Sequence, residues 1–307
     1  MRVFVPEDTS RFIRERALGL SRSVRLEIYE YNEREARIRP MDPADVGNLE
    51  SRLVPRTDTE LALTGAQEAM ARIRSLAPAN SELAGNVAAR IVAGTNEVAF
   101  CFRGLEFARW SQEGITFGLG DPRERLTEDT RPHLVRLMRD LNAHRCSVGT
   151  ETNHPLYRMA PERWLETLVM QDPACLDAQL DAAHLYSEVP ALAGGDRSIL
   201  DVLGVTLRGQ RVVIELKASE DIQMLMQAVD YWLRVRRHQQ SGDFQRNGYF
   251  SGRDISTEPP LVWLVAPGLR FHSATDTLLN YLGPEIRITR IGLNENWRRG
   301  VEVVFRQ

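Results

Sequence analysis

The sequence predicts an α/β protein, with a mixed sheet flanked by helices in residues 151–307 and an α+β accessory domain in residues 1–150. Three runs carry this expectation. Residues 198–207 and 212–217 are short, β-rich and joined by Leu207-Arg208-Gly209-Gln210, which reads as a tight hairpin. From Ser219 to about His238 a polar stripe and an apolar stripe recur at helical spacing. Leu264-Val265-Ala266 then reads as another core strand, followed by the loop Pro267-Gly268-Leu269.

Taken from the N-terminus, residues 24–31 alternate strictly and residues 36–40 return beside them across a turn at Asn32-Glu33. Helical periodicity covers about 59–76 and 81–92. Residues 98–103, 105–110 and 115–118 form a predicted meander, and a helix follows over about 130–144. The polar stretch 147–155 has linker character and sets the domain boundary. Phe102, Arg103, Phe107, Arg109 and Trp110 are residue types that build a stacking surface for single-stranded bases. A sheet with one face in the core explains the same pattern and is preferred. His144, Cys146 and His154 match no zinc-finger spacing and lack a fourth ligand. Pro161 suits the first turn of a helix over about 161–169.

Hydrophobic content of 43% and charged content of 26% are ordinary for a globular protein. No apolar run approaches the roughly 18 residues of a membrane span, and the N-terminus lacks a signal-peptide core. The three separated cysteines give no disulfide framework, so a cytoplasmic protein is expected. A net charge of −3 is unlike a dedicated nucleic-acid binder. Phosphate contacts would have to come from local clusters: Arg234, Arg236 and Arg237 with Arg246, and Arg298 with Arg299. No GxxxxGK[ST] loop and no GxSxG elbow occur, which sets aside a P-loop ATPase and an α/β-hydrolase.

One residue stands out chemically. The chain has 38 arginines and a single lysine, Lys217, at the end of Val213-Ile214-Glu215-Leu216-Lys217. Lysine offers a compact charge whose pKa responds to burial, whereas arginine is a fork that stays charged. On a strand, Glu215 and Lys217 share one face. If Gly209 adopts a left-handed conformation in a bulged turn, Thr206 pairs with Gln210 and Asp201 comes opposite Glu215. A strict two-residue turn would place Asp201 opposite Leu216 instead. Facing carboxylates repel by up to about 1 kcal/mol, a penalty that a hard divalent cation removes.

The neighbouring helices add candidates. Ser219 caps the predicted helix and Glu220 and Asp221 suit its first turn. Gln223, Gln227, Asp230, Tyr231 and Arg234 form its polar stripe. Glu166, flanked by Leu165 and Val169, sits at the edge of an apolar helix face, where a charge requires a partner. Glu162, one turn earlier, reads as a solvated acid at a helix start.

The pattern Asp201-x13-Glu215-x-Lys217 resembles the core motif of the PD-(D/E)XK nuclease superfamily, with Leu200 in place of the nominal proline. Gln227-x3-Tyr231 is similar to the QxxxY motif of its RecB-like members. Trp164 through Asp172-Pro173, Gly195 through Asp201, the Glu-Leu-Lys strand, and Leu264 through Leu269 resemble the nuclease domain of NucS-type endonucleases, over about residues 160–293. The resemblance implies a restriction-endonuclease-like fold and a Mg2+- or Mn2+-dependent DNA endonuclease acting on branched, mismatched or single-stranded DNA. It implies metal ligation by Glu166, Asp201, Glu215 and the Leu216 carbonyl. Lys217 would orient or deprotonate the attacking water, and Gln227, Tyr231 and Arg234 would position the strand. The expected partner is DNA, with no membrane and with a homodimer left open. The alternative is a non-catalytic DNA- or protein-binding module on the same fold.

Overall fold

The structure is a computed structural model that describes residues 1–45, 51–79, 81–92, 95–149, 151–193 and 196–307. Strand β1 (Arg2–Pro6) leads into helix α1 (Arg11–Ala17), β2 (Glu27–Asn32) and β3 (Arg37–Met41). The pairing Asn32↔Arg37 confirms the predicted hairpin, and β1 adds to it in parallel. Next comes the three-residue strand β4 (Ser51–Leu53), followed by α2 (Arg56–Gly65) and α3 (Gln67–Leu76).

The helix expected over 59–76 is thus broken at Ala66, where Gly65 lies against the Trp110 ring. The expected helix 81–92 is also corrected. Only α4 (Glu82–Asn86) is helical, and β5 (Val87–Ile91) pairs antiparallel with β6 (Val98–Phe102). The alanine-rich run fits helical periodicity, but a neighbouring strand with its own unpaired edge decides its conformation. Strands β7 (Leu105–Ser111), β8 (Gly114–Phe117) and β9 (Glu124–Arg125) complete a five-stranded sheet in the order β5-β6-β7-β8-β9. Helix α5 (Arg131–His144) covers it with Leu134, Met138 and Leu141. Phe102 and Phe107 are fully buried in that core, so they do not form a stacking surface. In the stretch expected to be a linker, helix α6 (Pro155–Arg158) is capped by the His154 ring, and Thr150 lies outside the described residues.

The second body is a seven-stranded mixed sheet in the order β15-β14-β13-β12-β11-β10-β4. Helix α7 (Pro161–Gln171) precedes β10 (Tyr186–Ala193), β11 (Asp196–Val205) and β12 (Arg211–Leu216). Gly195 of the motif lies outside the described residues. Helices α8 (Met224–Ser241) and α9 (Asp243–Arg246) lead to β13 (Leu261–Pro267). Helix α10 (Ala274–Leu279), β14 (Arg287–Leu293) and β15 (Val303–Arg306) follow. β12, β13 and β14 run parallel, and the flanking pairs are antiparallel.

All six residues of β12 are buried, as expected for a central strand covered on both faces. Ile214 and Leu216 pack with Trp164, Leu165 and Val169 of α7. On the other face Val213 and Leu203 pack with Val235, and Val262 and Leu264 pack with Leu225, Val229 and Trp232 of α8. The architecture is therefore mixed α/β with helices on both faces of the larger sheet.

The first 150 residues serve two cores. Residues from Ala66 onward build the five-stranded sheet's core, whereas Leu53 enters the core of the larger sheet. Arg16 of α1 forks onto Asp230 of α8 at 2.7 to 3.2 Å.

Candidate functional site

The β11–β12 turn decides the geometry. Gly209 has φ +82°, and a Cβ there would lie 2.3 Å from the Asp254 carbonyl oxygen. Thr206 N–H donates to Gln210 O at 2.8 Å and Gly209 N–H to Thr206 O at 2.8 Å. The ladder Val205↔Arg211 to Val202↔Ile214 follows, and its continuation sets Asp201 across from Glu215, the register of the bulged turn. Leu216 N–H donates to Asp201 Oδ2 at 3.0 Å, tying the two strands together at that level.

Glu215 and Lys217 share the α8 face with Val213. Lys217 Nζ donates to Glu215 Oε1 at 2.8 Å and stands 3.8 Å from Asp221 Oδ2. Glu215 is 1% exposed, and its Oε2 is buried without a hydrogen-bond partner. Burial pushes the Glu215 carboxyl up to about 8, Asp201 adds to the rise, and Lys217 only partly offsets it. For Lys217 burial pulls the other way, but Glu215, Asp201 and Asp221 together hold the ammonium above its usual range. Lys217 is thus a cation paired with Glu215 and close to Asp221.

Helix α8 begins five residues later than Ser219. Asp221 accepts from Gln223 N–H at 2.8 Å, a turn that uses the acid before the helix starts. Asp221 is the site residue that sequence reasoning misassigned: it reads as a helix-start acid, and its spacing of four from Lys217 was the available signal. The helix closes at Gly242, whose φ is +74°. Burial raises the Tyr231 hydroxyl pKa, with Glu215 and Asp201 adding to it, so the ring stands within electrostatic reach of both acids. Gln227 Oε1, one turn earlier, is buried without a partner. Arg234, expected to face a strand of DNA, is only 7% exposed, and its Nε and Nη1 are buried without partners. It borders a cavity of about 10 Å³ beside Tyr231 and Leu203, at the limit of room for one water.

Helix α7 packs on the Ile214–Leu216 face, opposite to Glu215 and Lys217. Glu166 is buried and ion-paired with Arg163 at 2.8 Å. Glu162 is half-buried, not solvated as expected, and accepts from Ala218 N–H at 3.4 Å, next to Lys217. Among the described residues no three His, Cys, Asp or Glu side chains form a group ready to hold a metal ion. The donors that do meet are Asp201 and Glu215, on adjacent strands.

The expected arginine clusters are largely occupied. Arg246 pairs with Asp243 at 2.5 Å, Arg236 donates to Thr257 O, and Arg298 stacks over Trp297 at 4.3 Å. Arg237 and Arg299 remain exposed. His144 and His154 stack at 3.7 Å, with His144 bonded to Glu151.

No family model matches this chain, and no curated protein matches it.

Proposed function

We propose that the chain is a divalent-metal-dependent DNA nuclease of the restriction-endonuclease-like class, acting on branched, mismatched or single-stranded DNA. The observation that carries this reading is the Asp201–Glu215 pair with Lys217 on one sheet face, and in particular the buried, unpartnered Oε2 of Glu215. That oxygen receives no compensating hydrogen bond from the protein. Two carboxylates and the Leu216 carbonyl suit a hard cation, since Mg2+ takes one or two carboxylates and keeps waters and phosphate oxygens as its other ligands.

The chemistry such a bound ion supplies is polarisation of a phosphodiester oxygen and acidification of a water. Asp201 and Glu215 would hold it, and Glu166 is available only if it gives up Arg163. Lys217, kept charged by its neighbours, would orient the water and stabilise negative charge developing at phosphorus. Gln227 and Tyr231 would line the approach from α8. Arg234 lines the same small cavity as Tyr231 and would act on the site through the field of its charge.

The test is cleavage of labelled single-stranded, flapped, mismatched and duplex DNA with Mg2+ or Mn2+, beside Lys217→Ala. Metal-dependent cleavage that falls about 10²- to 10⁴-fold in the variant, with DNA binding retained, is expected. Equal cleavage by wild type and variant would refute the assignment. The non-catalytic alternative draws on the net charge of −3, and DNA retention without cleavage under any metal would favour it.

A further inference from the structure

Away from the acids, a cavity of about 480 Å³ lies between the two bodies of the chain. That volume falls in the range of small-molecule sites, which favour such junctions, and far exceeds the space of a single water. Its walls are the first turns of α2, the edge strand β5 and the part of β10 that precedes the β4 pairing at Ala191–Ala193. They are pinned from outside. Tyr249 hydroxyl donates to Val54 O at 3.0 Å, and Arg56 N–H donates to Asn247 O at 3.0 Å. Phe250 N–H donates to the Tyr186 hydroxyl at 2.8 Å. The cavity is therefore preformed and does not depend on loop closure to exist.

Its chemistry is graded. The Arg56 guanidinium is parked over the Tyr186 ring, 4.9 Å from its centroid, and no carboxylate lies within ion-pair distance of it among the described residues. The ring positions the cation and leaves its planar fork of donors available. Arg90 adds a second guanidinium, with Glu106 at 3.8 Å. Thr59, Ser187 and Asn96 offer neutral hydrogen-bonding groups, while Leu63, Ile91 and Met170 give an apolar wall. Among the described residues, the one acid on the lining, Asp58, is exposed in the first turn of α2.

A cationic fork, neutral polar groups and an apolar wall fit a ligand with an anionic end, a hydroxylated middle and an apolar body. We infer that this cavity binds a nucleoside phosphate unit, with its phosphate on Arg56 and its base against the Leu63–Ile91 side. The same unit occurs as a free nucleotide or as the phosphorylated end of a nucleic-acid strand. The inference uses none of Asp201, Glu215 or Lys217, so it stands or falls separately from the hydrolytic reading.

The test is calorimetric titration of the full chain, without divalent metal, with deoxynucleoside 5′-monophosphates and with tetranucleotides carrying or lacking a 5′-phosphate. Wild type, Arg56→Gln and Thr59→Trp are compared, each with its thermal melt. Saturable binding is expected in wild type. Arg56→Gln removes the cation and Thr59→Trp fills the cavity, and each should weaken binding at least tenfold. Mononucleotides binding better than phosphorylated tetranucleotides identifies a free nucleotide, and the reverse order identifies a strand end. No saturable binding of any probe, or binding unchanged in both Arg56→Gln and Thr59→Trp, would overturn the inference.

Discussion

At the scale of the residue, Glu215 contributes more to chemistry than to stability. Its Oε2 has no donor and its charge faces Asp201, so only Lys217 compensates it. Above its raised pKa of about 8 Glu215 is ionised, and there Glu215→Gln relieves a facing-carboxylate repulsion of up to about 1 kcal/mol. The expected result is a melting temperature equal to or about 2 °C above wild type in the absence of metal, with cleavage abolished; a clear fall in melting temperature would count against the description of this site. Sites that give up stability in this way are where function concentrates. Spacing alone made Asp201, Glu215 and Lys217 legible, because strand alternation and a glycine turn fix which residues share a face. Burial was not legible. Arg234 reads as a surface arginine on a polar stripe, yet the outer strands close over it. Arg145, just past the helix predicted over 130–144, is fully buried as well.

At the scale of the element, the β11–β12 hairpin depends on one backbone conformation. Gly209→Ala would force a side chain into positive φ and against the Asp254 carbonyl oxygen. It should cost about 1–3 kcal/mol in denaturant unfolding and lower cleavage through loss of the Asp201–Glu215 alignment. The end of α8 makes a second prediction. Burial pulls the Asp243 carboxyl up, but hydrogen bonds from Ser241, His238 and Arg246 outweigh it and bring it to about 2 from 3.8. A depressed carboxyl stabilises the fold above its unfolded value and loses that contribution as pH falls. The helix-end network, screened by solvent, is worth about 1 kcal/mol. Wild type should exceed Asp243→Asn by that amount above pH 5, and the difference should vanish near pH 2. Strongly patterned elements such as α5, α7 and β12 were visible in the sequence. The misreadings fell where a contact distant in sequence decides, as at β5 on the edge of β6, or where a side chain captures the backbone, as Asp221 does before α8.

At the scale of the whole molecule, the two bodies are joined by a buried guanidinium. Arg145 donates to the carbonyl oxygens of Arg103, Leu156, Met159 and Ala160 and lies 4.8 Å from the Trp164 ring. Arg145→Met would strand those carbonyls, a loss of about 3 kcal/mol or more, and equilibrium unfolding should separate into two transitions where wild type shows one. The short strand β4 has a different consequence. Ser51–Leu53 pairs with Ala191–Ala193 at the end of the seven-stranded sheet, so a segment from early in the chain occupies a border formed much later. A ribosome completing this protein releases β10 next to a partner that has been waiting for well over a hundred residues. A fragment beginning at Arg56 lacks that partner, and its bare strand would be a template for self-association. On a sizing column it should run as aggregates while the intact chain does not, which makes three residues a guard of solubility during synthesis.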